Sequence, residues 1–144
     1  MDLAKVDALI ERVSLFQGLE RDEVLKIFSH GTTMRIAKGE AVFYKGTQGD
    51  TMYCVLGGKL GVFDGTGKTC LAELRTGEMF GEMALVTHEP RSATIVALED
   101  SMLFMLRQST FEKLMTKRVA IRMLLNIVRT LSHRLKAANL RLSS

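Results

Sequence analysis

The spacing of hydrophobic positions divides the chain into three stretches with different periods. In residues 2–13, DLAKVDALIERV, the apolar side chains Leu3, Val6, Ile10 and Val13 recur at helical spacing, and Asp2 stands where a helix cap belongs. A second short helix is predicted from about Glu20 through RDEVLKIF, with acidic residues in the first turn, where the partial positive charge of a helix start favours them. Near Thr32 the pattern changes to short β-rich runs at 33–36, 41–44, 51–56, 59–63, 69–74, 92–98 and 102–106. Glycines break nearly every gap. Gly57-Gly58 and the DGTGK at 64–68 read as hairpin turns, and Gly46 and Gly49 bracket another tight connection. Many short strands at regular spacing imply an antiparallel sandwich or barrel.

From Ser109 the helical period returns. STFE at 109–112 has the Ser-x-x-Glu form of a capping box and predicts a short helix over about 110–116. A longer helix follows over about 119–142, where Ile121, Leu124, Val128, Leu131, Leu135, Ala138 and Leu142 lie 3, 4, 3, 4, 3 and 4 residues apart. That is a heptad seam. It serves either a helix packed back on its own barrel or a parallel two-stranded coil between two protomers, and no acidic residue flanks it to set pairing by charge.

Composition narrows the class. With 144 residues and 47% hydrophobic content the chain has enough apolar material for one domain. Its parts are a helical segment at 1–30, the strands at 31–107 and the C-terminal helices at 109–144. No apolar run approaches the ~20 residues of a membrane-spanning helix, and Met1 opens a charged periodic segment, so a soluble cytoplasmic protein is expected. Cys54 and Cys70 both fall in strand-like stretches and read as two buried free thiols, which argues against a disulfide framework or an iron-sulfur sensor. The methionines read as core filler. His30, His88 and His133 are far apart on different elements, and no Ser/His/Asp arrangement, Walker loop or metal-ligand pair occurs, so neither catalysis, nor a metal, nor a cofactor is expected. Charge is divided unevenly. Residues 1–106 hold 11 Lys and Arg against 15 Asp and Glu, a net of −4, whereas residues 107–144 hold 9 against 1, a net of +8. Such a tail can meet an acidic partner, nucleic acid or an anionic surface, although a solvated helical face is the commoner explanation.

The candidate chemistry lies in FGEMALVTHEPRSATI at 80–95. FGEMALV is suited to one or two helical turns starting at Gly81, and the unpaired amides at such a start, from about Glu82 to Leu85, form an anion site. Arg91 is the only Lys or Arg between Arg75 and Arg107, and its planar guanidinium can donate two parallel hydrogen bonds to a phosphate. Pro90 stiffens the approach and Ser92 adds a hydroxyl. Glu82 repels an anion, so it fits only if the ligand also presents a hydroxyl donor close to its phosphate, or if Glu82 orients Arg91. A structural Glu82–Arg91 ion pair is the plain alternative. The first case describes a compact nucleotide, its purine floored by a strand such as 69–74, through Leu71 and Leu74.

These residues carry a family resemblance. GEMFGEMALVTHEPRSATIVALEDS at 77–101 closely resembles the phosphate-binding cassette of cyclic nucleotide-binding domains, as found in bacterial catabolite activator proteins, regulatory subunits of cAMP-dependent kinase and nucleotide-gated channels. KGEAVFYKGTQGDTMYCVLGGKLGVF at 38–63 is similar to that family's glycine-marked strands, and the likeness extends to SLFQGL and to the helices after the barrel. The resemblance implies a mainly β fold with flanking helices: an antiparallel β-roll or jelly-roll barrel of about eight strands, with N-terminal helices, C-terminal helices including one long one, and the cassette at 80–93. It also implies site roles. Glu82 would take the ribose 2′-hydroxyl, and the amides near Gly81, Glu82, Met83 and Ala84 would meet the cyclic phosphate. Arg91 would pair with its exocyclic oxygens, and Ser92 and Ala93 would complete the contacts.

Some positions depart from the family. The chain has no Trp and its last Tyr is Tyr53, so the base needs a different cap. SHRLKAANLRL at 132–142 is similar to the part of the activator-protein helix that touches adenine and places Asn139 near the base. Neither Asn139 nor Ser92 separates cAMP from cGMP. The expected function is a cAMP or cGMP receptor whose C-terminal helices shift on binding, with a homodimer through the seam. Because the helix-turn-helix of the transcription factors does not follow Ser144, the effector is expected to be another protein or a further domain. The alternatives are the sensory half of a truncated transcription regulator, or a dimeric scaffold with a vestigial pocket.

Overall fold

The computed structural model describes residues 7–8, 10–11, 13–85, 87–114 and 116–143. Of the expected first helix, Asp2, Leu3 and Val6 lie outside the described residues, while Val13 is fully buried beside the single-turn 3-10 helix Ser14–Phe16. Helix α1 (Arg21–His30) begins at a capping box formed by Glu20 and Glu23 and carries Asp22 and Glu23 in its first turn, as the charge pattern predicts.

Eight strands follow: β1 (Thr32–Ile36), β2 (Ala41–Phe43), β3 (Thr51–Gly57), β4 (Lys59–Phe63), β5 (Cys70–Arg75), β6 (Met79–Phe80), β7 (Thr94–Ala97) and β8 (Ser101–Arg107). They form two antiparallel four-stranded sheets, in the orders β1-β8-β3-β6 and β2-β7-β4-β5. The expected β-roll with flanking helices is therefore what the chain adopts. The DGTGK turn joins β4 to β5 as a paired hairpin, closed by Gly67 N–H to Asp64 O at 3.1 Å. Gly57-Gly58 is different. The strands on either side of it lie in different sheets, so this glycine pair turns a corner between sheets and does not close a hairpin. At Gly58, φ is +92°, and a Cβ would sit 2.2 Å from Ser101 Oγ, so both conformation and space require glycine. β6, two residues long, is too short to announce itself as a periodic run.

Strand alternation sorts side chains into two cores. Met52, Cys54, Phe104 and Leu106 point to a cluster shared with Leu15, Phe16, Val24, Ile27, Phe111, Val119, Met123 and Ile127 of the helical layer. Tyr53, Val55 and Leu103 point the other way, into a barrel core with Leu60, Leu74, Phe80 and Ile95. β3 and β8 are buried on both faces, which is why they read as nearly continuous apolar runs. Of the two cysteines, only Cys54 is buried, and burial pushes its thiol up to about 12; Cys70 is exposed on β5, the edge strand of its sheet. The expectation of two buried thiols fails because every residue of β5 except Leu74 is exposed.

Helix α2 (Gln108–Leu114) starts directly at the end of β8, so Ser109 falls inside the first turn and is not a cap. Helix α3 (Lys117–Ser143) packs on the helical core through Val119, Met123, Asn126 and Ile127. The heptad seam is largely a different face: Ile121, Leu124, Val128 and Leu135 are exposed, Leu131 and Ala138 are half-buried, and the Leu142 side chain lies outside what is described. Asn126 fixes the helix in place, because its amide nitrogen donates to the carbonyls of Leu15 at 2.9 Å and Gln17 at 2.8 Å. Among the described residues no helix is long and apolar enough to cross a membrane, and no group of metal-binding side chains gathers. Asn126→Ala leaves two carbonyls without their donor and is expected to lower stability by about 1–3 kcal/mol, read from urea unfolding.

Candidate functional site

Between β6 and β7 the chain leaves the sheets to form the cassette. Gly81 sits at φ +71°, and the 3-10 helix Glu82–Leu85 follows immediately. Its end is held by Thr87 N–H to Met83 O at 2.8 Å, and by Gln108 Nε2, which donates to Leu85 O at 3.3 Å from the start of α2. The return segment is anchored by a reciprocal pair, Gly46 N–H to Arg91 O at 2.8 Å and Arg91 N–H to Thr47 O at 2.9 Å. The segment they hold lines a cavity of about 530 Å³, through Gly81 to Ala84 and Glu89 to Ala93.

Arg91 is the centre of the site. Its side chain is buried, with 8% of the residue exposed. Nη2 donates to the Thr51 carbonyl at 2.8 Å, and the guanidinium lies over the Phe43 ring at 4.2 Å from its centroid. Two glycines make room: a Cβ at Gly49 would lie 2.3 Å from Nε and Nη2, and one at Gly81 would lie 2.8 Å from Nη1. Nε is buried without a hydrogen-bond partner, and among the described residues Arg91 makes no ion pair. Burial lowers its pKa from the ordinary guanidinium value, against opposing fields from Tyr53 and Asp50, yet an arginine stays charged. A buried, charged, partly unsatisfied donor is costly unless an anion completes it.

Glu82 does not pair with Arg91. Its carboxylate, 3% exposed, forms an ion pair with Arg134 of α3, and Arg134 Nη2 also donates to Met79 O at 3.2 Å. The structural Glu82–Arg91 pair, and the reading in which Glu82 orients Arg91, are thereby replaced: the acid ties the cassette to the long helix.

All seven expected cassette residues, Gly81, Glu82, Met83, Ala84, Arg91, Ser92 and Ala93, line this one cavity. Leu74 lines it as well, with Val62, Ala72 and Ile95 forming an apolar wall. Leu71 is 59% exposed and outside the lining, because alternation turns it to the other face of β5 from its neighbour Ala72. Asn139 is exposed and also outside the lining; α3 reaches the cavity through Leu131 and Arg134 instead. Sequence reasoning missed Phe43, Gly49 and Arg134. For Arg134 a signal existed in the cassette itself, since a buried carboxylate calls for a cation, but nothing local says that the cation comes from a residue 52 positions away.

With this geometry in view, comparison with known proteins gives a consistent answer. Residues 33–118 match the cyclic nucleotide-binding domain, and the chain belongs to that family. It is 34% identical over 115 residues to a cAMP-dependent protein kinase regulatory subunit of Blastocladiella emersonii, covering 78% of this chain and 28% of that one. It is also 34% identical over 131 residues to the cyclic AMP receptor protein of Thermus thermophilus, covering 89% and 60%. The crystal structure of Thermus thermophilus catabolite activator protein superposes with a TM-score of 0.80 at 34% identity, covering 90% of this chain and 62% of that one. The chain thus spans less than two thirds of each of these relatives.

Gly81→Ala places a side chain in a left-handed backbone conformation and against Arg91, and is expected to cost about 1–3 kcal/mol in thermal or urea unfolding. Stability equal to the parent's counts against the close approach.

Proposed function

We propose that the chain is a cyclic nucleotide receptor domain that takes cAMP in the cassette cavity and reports its presence through α3. The observation that carries this reading is the Arg91 guanidinium, buried and charged, with a donor that no group among the described residues satisfies, at the wall of a nucleotide-sized cavity. A cyclic phosphate supplies the missing acceptors: its exocyclic oxygens meet Arg91 and the first amides of the Glu82–Leu85 turn, with Ser92 and Ala93 beside them. The apolar wall at Leu74 takes the purine. What the two curated relatives are named for supports cAMP over cGMP.

In this reading Glu82 accepts the ribose 2′-hydroxyl. The same carboxylate holds Arg134, so the ligand and α3 share one acceptor and the position of the helix becomes coupled to occupancy. A ligand moves such an equilibrium only by binding the two arrangements with different affinity. The exposed seam at Ile121, Leu124, Val128 and Leu135 is the surface for a second copy, and the shifted helices act on a protein effector or a further domain.

Calorimetric titration with cAMP, cGMP and 5′-AMP tests the reading. Tight binding of cAMP is expected, and no binding of any of them overturns the receptor. Arg91→Ala is expected to weaken cAMP by about 10²-fold, the worth of two charge-assisted hydrogen bonds, with the β-roll retained by circular dichroism; unchanged affinity refutes the phosphate role. Glu82→Ala is expected to abolish any preference for cAMP over 2′-deoxy-cAMP. A preference that survives it removes Glu82 from the ribose.

A further inference from the structure

The cavity carries more negative charge than an anion site needs. Four glutamates, Glu73, Glu78, Glu82 and Glu89, border it among the described residues, against two arginines, Arg91 and Arg134. Two of the acids are neutralised locally. Glu82 pairs with Arg134, and Glu73 pairs with Arg75 at 3.0 Å and Lys59 at 3.9 Å. Glu78 and Glu89 are exposed and enter no ion pair among the described residues. On the cationic side, the one guanidinium with a buried unpartnered N–H is Arg91. One uncommitted cation thus shares the lining with two uncommitted carboxylates.

This arrangement matters for the charge of the ligand. A cyclic phosphodiester has a single ionisable oxygen and carries one negative charge. A terminal phosphate carries a second charge above a pH of about 6. Arg91 matches the first charge. The second finds no free cation among the described lining residues and meets the field of Glu78 and Glu89. Resting on the nucleotide-receptor reading of the cavity, we propose that Glu78 and Glu89 are specificity-determining residues, an acidic collar that admits a singly charged phosphodiester nucleotide and disfavours nucleotides with a doubly charged terminal phosphate.

The test is titration of the parent and of the double variant Glu78→Gln/Glu89→Gln with cAMP, 5′-AMP and the methyl phosphodiester of 5′-AMP, which is linear but singly charged. Because Coulomb energy scales with ligand charge, removing the collar is expected to raise the affinity for 5′-AMP by about twice the logarithmic gain seen for cAMP. The methyl ester should follow cAMP. Raising ionic strength from about 0.01 M to 1 M, which shortens the screening length roughly tenfold, should erase most of the gain. Binding of cAMP by the double variant shows that it has folded. A gain for 5′-AMP no larger than for cAMP, a gain insensitive to salt, or no measurable 5′-AMP binding by the double variant overturns the collar and leaves ring geometry as the discriminator. Failure of the parent to bind cAMP instead overturns the receptor reading, and the collar with it.

Discussion

The structure is organised around the burial of one guanidinium. Taking Arg91 out of water is unfavourable, and no carboxylate among the described residues pairs with it, the field of Asp50 offsetting the burial only in part. What holds it is a set of weaker contacts whose sources are spread along the chain: the Thr51 carbonyl at the start of β3, the Phe43 face at the end of β2, and the clearances at Gly49 and Gly81. Each contact is also a constraint on the β-roll. The β2–β3 connection must pass close enough for glycine alone to fit at Gly49, and the two backbone bonds that Gly46 and Thr47 make with Arg91 set that approach. Leaving the positive charge unpaired is poor for stability, and in the proposed function it is the property that a ligand's anion would use.

The barrel and the helical layer meet across β3 and β8, which contribute alternate side chains to each core. The cassette lies where both layers can reach it. Leu85 enters the helical core, Phe80 the barrel core, and Glu82 between them pairs with α3. The site is therefore a junction, with its floor supplied by a sheet and one wall by a helix.

Much of this was legible along the chain because the physics behind it is local. Short β-rich runs broken by glycines marked seven of the eight strands within a residue or two, and the acidic first turn of α1 and the heptad spacing of α3 marked real helices. The cassette was legible for a similar reason, since a glycine, a short turn and a lone arginine lie within twelve residues of one another. Long-range partners were not. That Arg134 meets Glu82, that Gly49 clears Arg91, and that Asn126 caps carbonyls of the 3-10 turn all depend on how elements pack, and no periodicity records it. Gly57-Gly58 misled because a corner between sheets and a hairpin both need glycine. Leu71 and Cys70 misled because an edge strand exposes residues that a central strand would bury.

The way α3 is fastened gives it a mechanical character. Its first half is pinned to the helical layer by Arg118 to Glu23, by Asn126 to two carbonyls, and by Met123 and Ile127 in the core. Beyond Leu131 the Arg134 guanidinium ties it to the cassette, through Glu82 and the Met79 carbonyl. From Asn126 to Ser143 the helix rises about 26 Å. A tilt of about 10° about the Asn126 anchor carries the far end through about 4–5 Å while moving the Arg134 level by about half as much. The helix thus has the geometry of a lever arm with its fulcrum in the core, so that a displacement imposed at the level of Arg134 would be about doubled at its far end.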